Sequence, residues 1–280
     1  MPTNEVEREN KSCKYELLYP KAVIVDDVAD MRTKGFYANK FPVGACVHFT
    51  AGWNDHKPKD SLSSGLTKGY CYLTILADGT IVQNFDLARW GYHAGPSTWP
   101  GLGSGLSDKL VGIEICCGGR LSKKDGEYKT WFNKTVDADH RRSVKAEDNI
   151  LNDGVYEMYT PEQEKALTEF LLWMNQAGKG VFKLDNVLGH DEIAPNRKND
   201  PGGSLSMTMP KYREFLKAKA GEIVEKPIEL PPSNPHLWNP EIFFNKMDNL
   251  LNNPTPERLA DMRDIVWKSA KDKISKLLEK

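Results

Sequence analysis

The segment Gly189-His-Asp-Glu-Ile-Ala-Pro-Asn-Arg-Lys-Asn-Asp-Pro-Gly202 constrains this chain more than any other. It sets a histidine, His190, ten residues before a carboxylate, Asp200, with Lys198 two positions ahead of that carboxylate. The Pro and Asn between them favour an irregular connection over a continuous helix, so both side chains can curl toward one point. Asp-Pro-Gly then turns the chain away. A cation that takes nitrogen and oxygen ligands, with an ammonium beside it, suits such a loop. Gly-His-Asp by itself is equally compatible with a plain surface loop, so the weight falls on complementary pieces upstream.

Val43 to Phe49 is an apolar, β-branched run of strand length that stops at Thr-Ala-Gly, and it places His48 near its carboxyl end. Sites of α/β sheets collect at that end, although a lone strand histidine is more often a satisfied core residue. Leu110-Val-Gly-Ile-Glu-Ile-Cys-Cys117 reads as a strand apolar on both faces with one carboxylate, Glu114, at its centre. A charge there is costly unless paired or functional. A structural salt bridge and a catalytic acid or base both stay open on these grounds. Trp90-Gly-Tyr-His-Ala-Gly95 puts a further histidine, His93, in a Gly-rich turn.

Taken in order, these segments resemble the zinc-dependent N-acetylmuramoyl-L-alanine amidases, the type 2 amidase family that includes T7 lysozyme and the peptidoglycan recognition proteins. The resemblance rests on His48-Phe-Thr, on Gly69-Tyr-Cys-Tyr-Leu73 before Asp78-Gly79, on Trp90 to Gly95, on Gly112-Ile-Glu114, and on Gly189 to Gly202. It covers about residues 40–215. It implies zinc ligands at His48, His190 and Asp200, leaving a fourth tetrahedral position for water, as catalytic zinc requires. It implies Glu114 as base, Tyr70 as a tyrosine beside the metal able to share that role, and Lys198 as the cation that stabilises the oxyanion, on the order of 3 kcal/mol. His93 is expected to contact substrate or support the site from behind. Cys71 stands where the family often has His and is expected to pack inside. The implied reaction is hydrolysis of the amide between N-acetylmuramic acid and L-alanine in peptidoglycan.

The family also contains members that bind muropeptides without cutting them, and these typically lose a zinc ligand. This chain keeps all three, so an enzyme is expected. A lytic setting, as a phage endolysin or an antibacterial effector, is expected ahead of cytosolic recycling of anhydro-muropeptides, because the chain is bulkier than a minimal recycling enzyme. The partners expected are peptidoglycan or muropeptides, with a holin or a secretion-system and immunity partner as further candidates, and the chain is expected to be a monomer. An inhibitory role toward a polymerase, as in T7 lysozyme, has no specific support.

Composition adds exclusions. Lys and Arg number 38 against 39 Asp and Glu, so no basic excess announces nucleic acid. No stretch approaches the roughly 20 apolar residues of a membrane span. The polar, acidic start Met1 to Asn10 does not read as a signal peptide, so synthesis in the cytoplasm and action on the wall after release or delivery are expected. Five Cys without a CxxC argue against a disulfide framework, and the adjacent Cys116 and Cys117 would point to opposite faces of a strand.

The expected architecture is α/β: a mixed central β-sheet flanked by helices, with a C-terminal helical appendage. Residues 1–40 read as an N-terminal extension packed on the core, with a short strand candidate at Ala22 to Asp26. Residues 41–222 read as the zinc amidase domain. Within it, Asp78-Gly79 closes a hairpin between Tyr70–Ala77 and Thr80–Phe85, and a polar insert, 121–154, is long enough to carry short elements or cover a groove. Thr160, Pro161 and Gln163 open a helix whose apolar face holds Leu167, Phe170, Leu171 and Met174 and which ends at Gly178. A strand is expected at Leu184 to Leu188. Residues 223–240, with five prolines between Pro227 and Pro240, read as a semi-rigid linker. Residues 241–280 read as two amphipathic helices, the second starting at Thr255-Pro256.

Overall fold

The computed structural model describes residues 17–24, 33–52, 73–83, 86–145 and 149–225. Tyr70, Cys71, the outer ends of the expected hairpin, residues 226–240 of the expected linker and the C-terminal helices lie outside them, while residues 223–225 of that linker end a helix. The chain divides into two units, Met1–Lys226 and Pro227–Lys280, and every described residue belongs to the first.

A mixed sheet lies at the centre. Its strands are β1 (Val23–Ile24), β3 (Gly44–Phe49), β4 (Leu73–Ile75), β5 (Ile81–Gln83), β9 (Leu110–Ile115) and β14 (Val187–Gly189). They lie side by side in the order β1-β5-β4-β9-β3-β14. Two ribbons flank the sheet, β2 (Gly35–Phe36) with β6 (Arg89–Trp90) and β7 (Thr98–Trp99) with β8 (Gly103–Ser104). β4 and β5 are antiparallel around Asp78-Gly79, with Gly79 at φ 81 as the turn demands. The pairs β3–β9, β4–β9 and β14–β3 are parallel.

Alternation along these strands separates two faces. Ala45 and Val47 of β3, Val111, Ile113 and Ile115 of β9, Leu73 and Ile75 of β4, and Val187 of β14 belong to the main core cluster. That cluster also takes Leu167, Phe170, Leu171 and Met174 of α1 (Pro161–Ala177) and Met209, Tyr212 and Leu216 of α3 (Met209–Glu225). The opposite face carries Cys46 and His48, Gly112 and Glu114, and Thr74. So one side of the sheet is sealed by helices and the other is left for chemistry.

Helix α1 starts as its sequence dictates. Thr160 accepts from the Gln163 amide and the Gln163 side chain accepts from the Thr160 amide, closing a capping box with Pro161 in the first turn. Gln163 does more than cap. Fully buried, it also donates Nε2 to the Cys116 carbonyl at 2.8 Å and to the Ile75 carbonyl at 3.3 Å, tying helix to sheet. The residues expected as a strand from Leu184 divide into a single 3-10 turn, Leu184–Asn186, and then β14. The Lys183 carbonyl takes the Asn186 amide, and the Asn186 side chain reaches the Val43 carbonyl, so the polar Asp-Asn pair turns the chain before it can pair.

The insert folds as a second, antiparallel sheet. It comprises β10 (Arg120–Lys124), β11 (Glu127–Lys129), β12 (Arg141–Val144) and β13 (Gly154–Glu157), in the order β11-β10-β13-β12. Tyr156 is fully buried against Gly202 and Gly203, where a β-carbon would meet its ring at 2.7 and 2.9 Å. The bare backbone after Asp200 is therefore what lets this sheet press against that turn. At the N-terminal side, Tyr19 packs edge-on against Phe170 and Trp173. Cys116 and Cys117 are buried and not disulfide-bonded, with the Cys117 thiol directed to the Glu157 carbonyl.

Gln163→Ala should lower unfolding free energy by about 2 kcal/mol, since it removes a cap and the side-chain ties to two buried carbonyls. Urea denaturation measures this, and a loss below about 0.5 kcal/mol would show that the carbonyls find other partners.

Candidate metal centre

Strand register builds the site. His48 of β3 stands directly opposite Glu114 of β9, and Glu114 opposite Thr74 of β4. Neighbouring strands are about 4.8 Å apart, so the three form one row across the open face. On the other side of β3, Gly189 pairs with Val47, and His190 follows as the first residue of the short helix α2 (His190–Ile193). The loop expected to be irregular thus begins with one helical turn before it curls. Asp200 comes back to it, with its carbonyl accepting from the Asp191 amide at 2.8 Å.

One carboxylate oxygen gathers the cluster. Asp200 Oδ2 lies 2.9 Å from His48 Nδ1 and 2.9 Å from His190 Nδ1, and all three side chains are buried. The imidazoles meet edge to face with centroids 4.4 Å apart.

Their far nitrogens decide what the near ones carry. His93 Nε2 lies 2.9 Å from the Leu110 carbonyl, which can only accept, so that nitrogen holds the proton and Nδ1 is bare. His48 Nε2, 3.0 Å from His93 Nδ1, must then be the donor, leaving His48 Nδ1 unprotonated when the ring is neutral. His190 Nε2 is 3.0 Å from the Ala94 carbonyl and likewise donates, which bares its Nδ1. Arg197 also lies 3.3 Å from His190 Nε2, but its terminal nitrogen gives its protons to Ala94 and Pro96, at 2.7 and 2.8 Å. Burial, the neighbouring His190 and Lys198 drive His48 down to about 4 against the opposing pull of Asp200, so the ring is neutral near pH 7.

With both rings neutral, two bare nitrogens and a carboxylate oxygen converge with no proton between them. Lone pairs repel in that arrangement, and a divalent cation is the group that fits it. Burial alone would raise the Asp200 carboxyl, yet His190 and His48 beside it hold it well below the usual range. Burial, Glu192 and Asp200 push Asp191 up to about 7, so it adds less than a full second negative charge to the pair.

Among the described residues, Cys46, His48 and His93 form another group of donors. It suits a cation less well. Burial and nearby carboxylates raise the Cys46 thiol far above its ordinary value, and the His48–His93 contact is already a hydrogen bond. Asp137, Asp139 and His140 form an exposed trio on the insert, away from this row.

Glu114 is enclosed by protein but keeps some surface toward the open face. Burial first, then the charge of Asp200, push it up to about 8, against the opposing influence of Lys198. Lys198 thus acts on both Glu114 and His48, as a cation above the row. Of the two roles expected for His93, substrate contact or support from behind, the geometry fits support: both its ring nitrogens are engaged, and it lies over Gly112, where a β-carbon would meet its ring at 2.8 Å. Its geometry makes it a support for His48. Tyr70 lies outside the described residues.

Several supporting side chains carry no recognisable sequence signal. Asn149, from the insert, accepts from the Asn196 amide and donates to the carbonyls of Asp191 and Lys198 at 3.4 and 3.2 Å, bracing the metal loop. Tyr159 donates to the His48 carbonyl at 3.1 Å. Glu192 accepts from the Gly189 amide and pairs with Arg213 of α3 through both oxygens. Arg197 does sit inside the distinctive loop, but its role as a clamp on Ala94 and Pro96 needs the fold to be seen.

His93→Ala should weaken divalent-metal affinity about 10–100-fold, as loss of a ligand's outer partner does. His93→Gln, which can accept from His48 and donate to Leu110 at once, should recover most of it. Competition of Zn²⁺ against a chromophoric chelator measures both, and equal affinities in all three proteins would reject the relay. A second expectation concerns Glu114 in the metal-free protein. Its carboxyl ionises near 4.5 when unfolded and about 8 when folded. Between those values the unfolded chain has released a proton that the folded one keeps, so stability falls as pH rises. Glu114→Gln should flatten that fall, which denaturation between pH 4.5 and 8 reads out.

Comparison with known proteins places this geometry. A family model described as N-acetylmuramoyl-L-alanine amidase matches residues 38–203. No curated protein matches the chain. Among solved structures, the amidase AmiD from E. coli, complexed with anhydro-N-acetylmuramic acid-L-Ala-D-gamma-Glu-L-Lys, matches at TM-score 0.40 and 23% identity, over 58% of this chain and 52% of that one. The chain therefore spans about half the length of that relative. AmpDh3 from Pseudomonas aeruginosa, in complex with anhydromuramic pentapeptide, matches at TM-score 0.42 and 20% identity, over 69% of this chain and 66% of that one. The endolysin amidase LysCS from Clostridium intestinale URNW matches at TM-score 0.40 and 18% identity, over 73% and 97%.

Proposed function

Because this chain belongs to the N-acetylmuramoyl-L-alanine amidase family, we propose that it is a zinc-dependent hydrolase of the amide joining N-acetylmuramic acid to the L-alanine of peptidoglycan stem peptides. The convergence of two histidine Nδ1 atoms on Asp200 Oδ2, with Glu114 in register beside His48, supports this reading most directly. His48, His190 and Asp200 would hold the ion. Zinc in such a site acidifies bound water to about pKa 7 and polarises a carbonyl.

The chain's own residues supply the rest. Glu114, ionised once a divalent cation sits beside it, would accept a proton from the attacking water and return it to the departing amine. Lys198 would face the negative charge that develops on the carbonyl oxygen. Tyr70 stays the alternative base. His93 would keep His48 in the tautomer that ligates.

We place the enzyme on the lytic side, as an endolysin or antibacterial effector acting on the wall outside the cytoplasm. The second sheet of the insert makes the domain bulkier than a minimal recycling enzyme, which favours that reading. A holin or a secretion-system and immunity partner belongs to that setting. Among the described residues no helix is long and apolar enough to cross a membrane.

Mass spectrometry of purified peptidoglycan digested by the protein tests the activity. Stem peptides beginning with alanine should appear, vanish on chelation and return with Zn²⁺. His48→Ala, His190→Ala and Asp200→Ala should each lose both bound zinc and product, while Glu114→Gln keeps zinc and loses about 10²–10⁴-fold in turnover. Undigested sacculi with zinc bound would reject hydrolysis in favour of recognition without cleavage.

A further inference from the structure

The insert's only large aromatic with most of its surface exposed is Trp131, at 70% among the described residues. Exposed tryptophan is ordinarily unheld, but this one is fixed from several directions. Its indole N–H donates to the Ala51 carbonyl. Phe132 meets it edge-on, with centroids 5.4 Å apart. The turn that presents it is locked by Thr130, which is fully buried, donates its amide to the Lys134 carbonyl at 2.9 Å and accepts the Lys134 amide at 3.0 Å. Asn133 completes the turn at φ 67, with its side chain held by Lys124.

The anchor point matters as much as the ring. Ala51 lies three residues beyond His48, with φ 48, and the next amide, Gly52, donates to the Cys117 carbonyl at 3.1 Å. Cys117 in turn lies three residues beyond Glu114. Trp131 is thus pinned where β3 and β9 end, and these are the two strands that carry His48 and Glu114.

With its N–H committed to the protein, the indole has only its π-faces and rim to offer. Such a surface recognises a flat array of C–H groups and carries no hydrogen-bond code. A pyranose ring presents that array.

We propose that Trp131 is a sugar-stacking platform at the end of the strands that carry His48 and Glu114, taking an N-acetylhexosamine ring of the wall polymer. This rests on the amidase reading above for the identity of the polymer. Its test is therefore separated from hydrolysis.

The full chain, stripped of metal by chelation, is titrated calorimetrically with peptide-free glycan strands. Trp131→Leu, which keeps bulk without a π-face, should bind about tenfold more weakly, and Trp131→Phe should stay within about threefold of the unaltered chain. Fluorotryptophan labelling adds a readout that needs no altered fold: the ¹⁹F line assigned to residue 131 should shift on adding glycan. Equal affinity of Trp131→Leu, or an unmoved line, would overturn the proposal. So would a loss confined to free stem peptide, which would place the ring on the peptide side. Weaker glycan binding by Trp131→Leu, with no stem peptide released by any metal-loaded form, would sink the amidase reading and leave the platform standing.

Discussion

The approach of two imidazoles to one buried carboxylate oxygen is the contact on which this structure turns. Each Nδ1 sits 2.9 Å from Asp200 Oδ2, and carbonyls at Leu110 and Ala94 keep the protons on the far side of the rings. Three lone pairs directed at one region, away from water, are unfavourable until a positive charge enters. Folding energy gathered elsewhere must hold the donors there in advance, and a cation that binds the folded chain returns stability by mass action. The Gln163 ties, the Tyr156 contact and the Arg213–Glu192 pair are the means of holding.

Register explains why chemistry and core do not interfere. Along β3 and β9 the residues facing α1 and α3 are Ala45, Val47, Val111, Ile113 and Ile115, while His48 and Glu114 take the alternate positions. A slip of one residue in either strand would drive an ionisable group into the helix-covered core and expose aliphatic side chains in its place. The apolar face therefore fixes the position of the polar row. Gly112 belongs to the same logic: its missing β-carbon is the space the His93 ring occupies, so the strand position two residues before Glu114 serves the ligand His48 through another side chain.

Much of the fold and site is legible in the chain because local chemistry and position coincide. His48 at a strand end, Glu114 inside an apolar run, and His190 and Asp200 bracketing a Pro-Asn loop are each odd where they stand, and the fold joins them. The cap of α1 is readable as a short-range motif. α3 opens on Thr208-Met-Pro210 but lacks the Glu or Gln that completes a capping box, so its start is a weaker signal than that of α1, although Tyr212, Phe215, Leu216 and Ala220 recur at helical spacing. The 3-10 turn at Leu184–Asn186 escapes the sequence because the strand-like pattern runs on through Asp185 and Asn186. Asn149 and Tyr159 could not be foreseen: their value lies in carbonyls that only the folded chain brings near. His93 is visible as a histidine in a turn, but its direction depends on Gly112 and Leu110, far along the chain.

The insert shows how a surface addition becomes part of a buried site. Lengthening a loop costs little in closure entropy, so sequence can be added between β9 and α1 without harming the core. This addition pairs its own strands, then rests Tyr156 on the glycines that follow Asp200 and sends Asn149 to three backbone groups of the metal loop. From another turn it reaches the Ala51 carbonyl beyond His48. One antiparallel sheet thereby touches the segments that carry the candidate ligands His48 and Asp200. Its rigidity is transmitted to both, and a force on its exposed tip bears on the same backbone that positions His48. The insert is for that reason a part of the centre's framework rather than a cover laid over it.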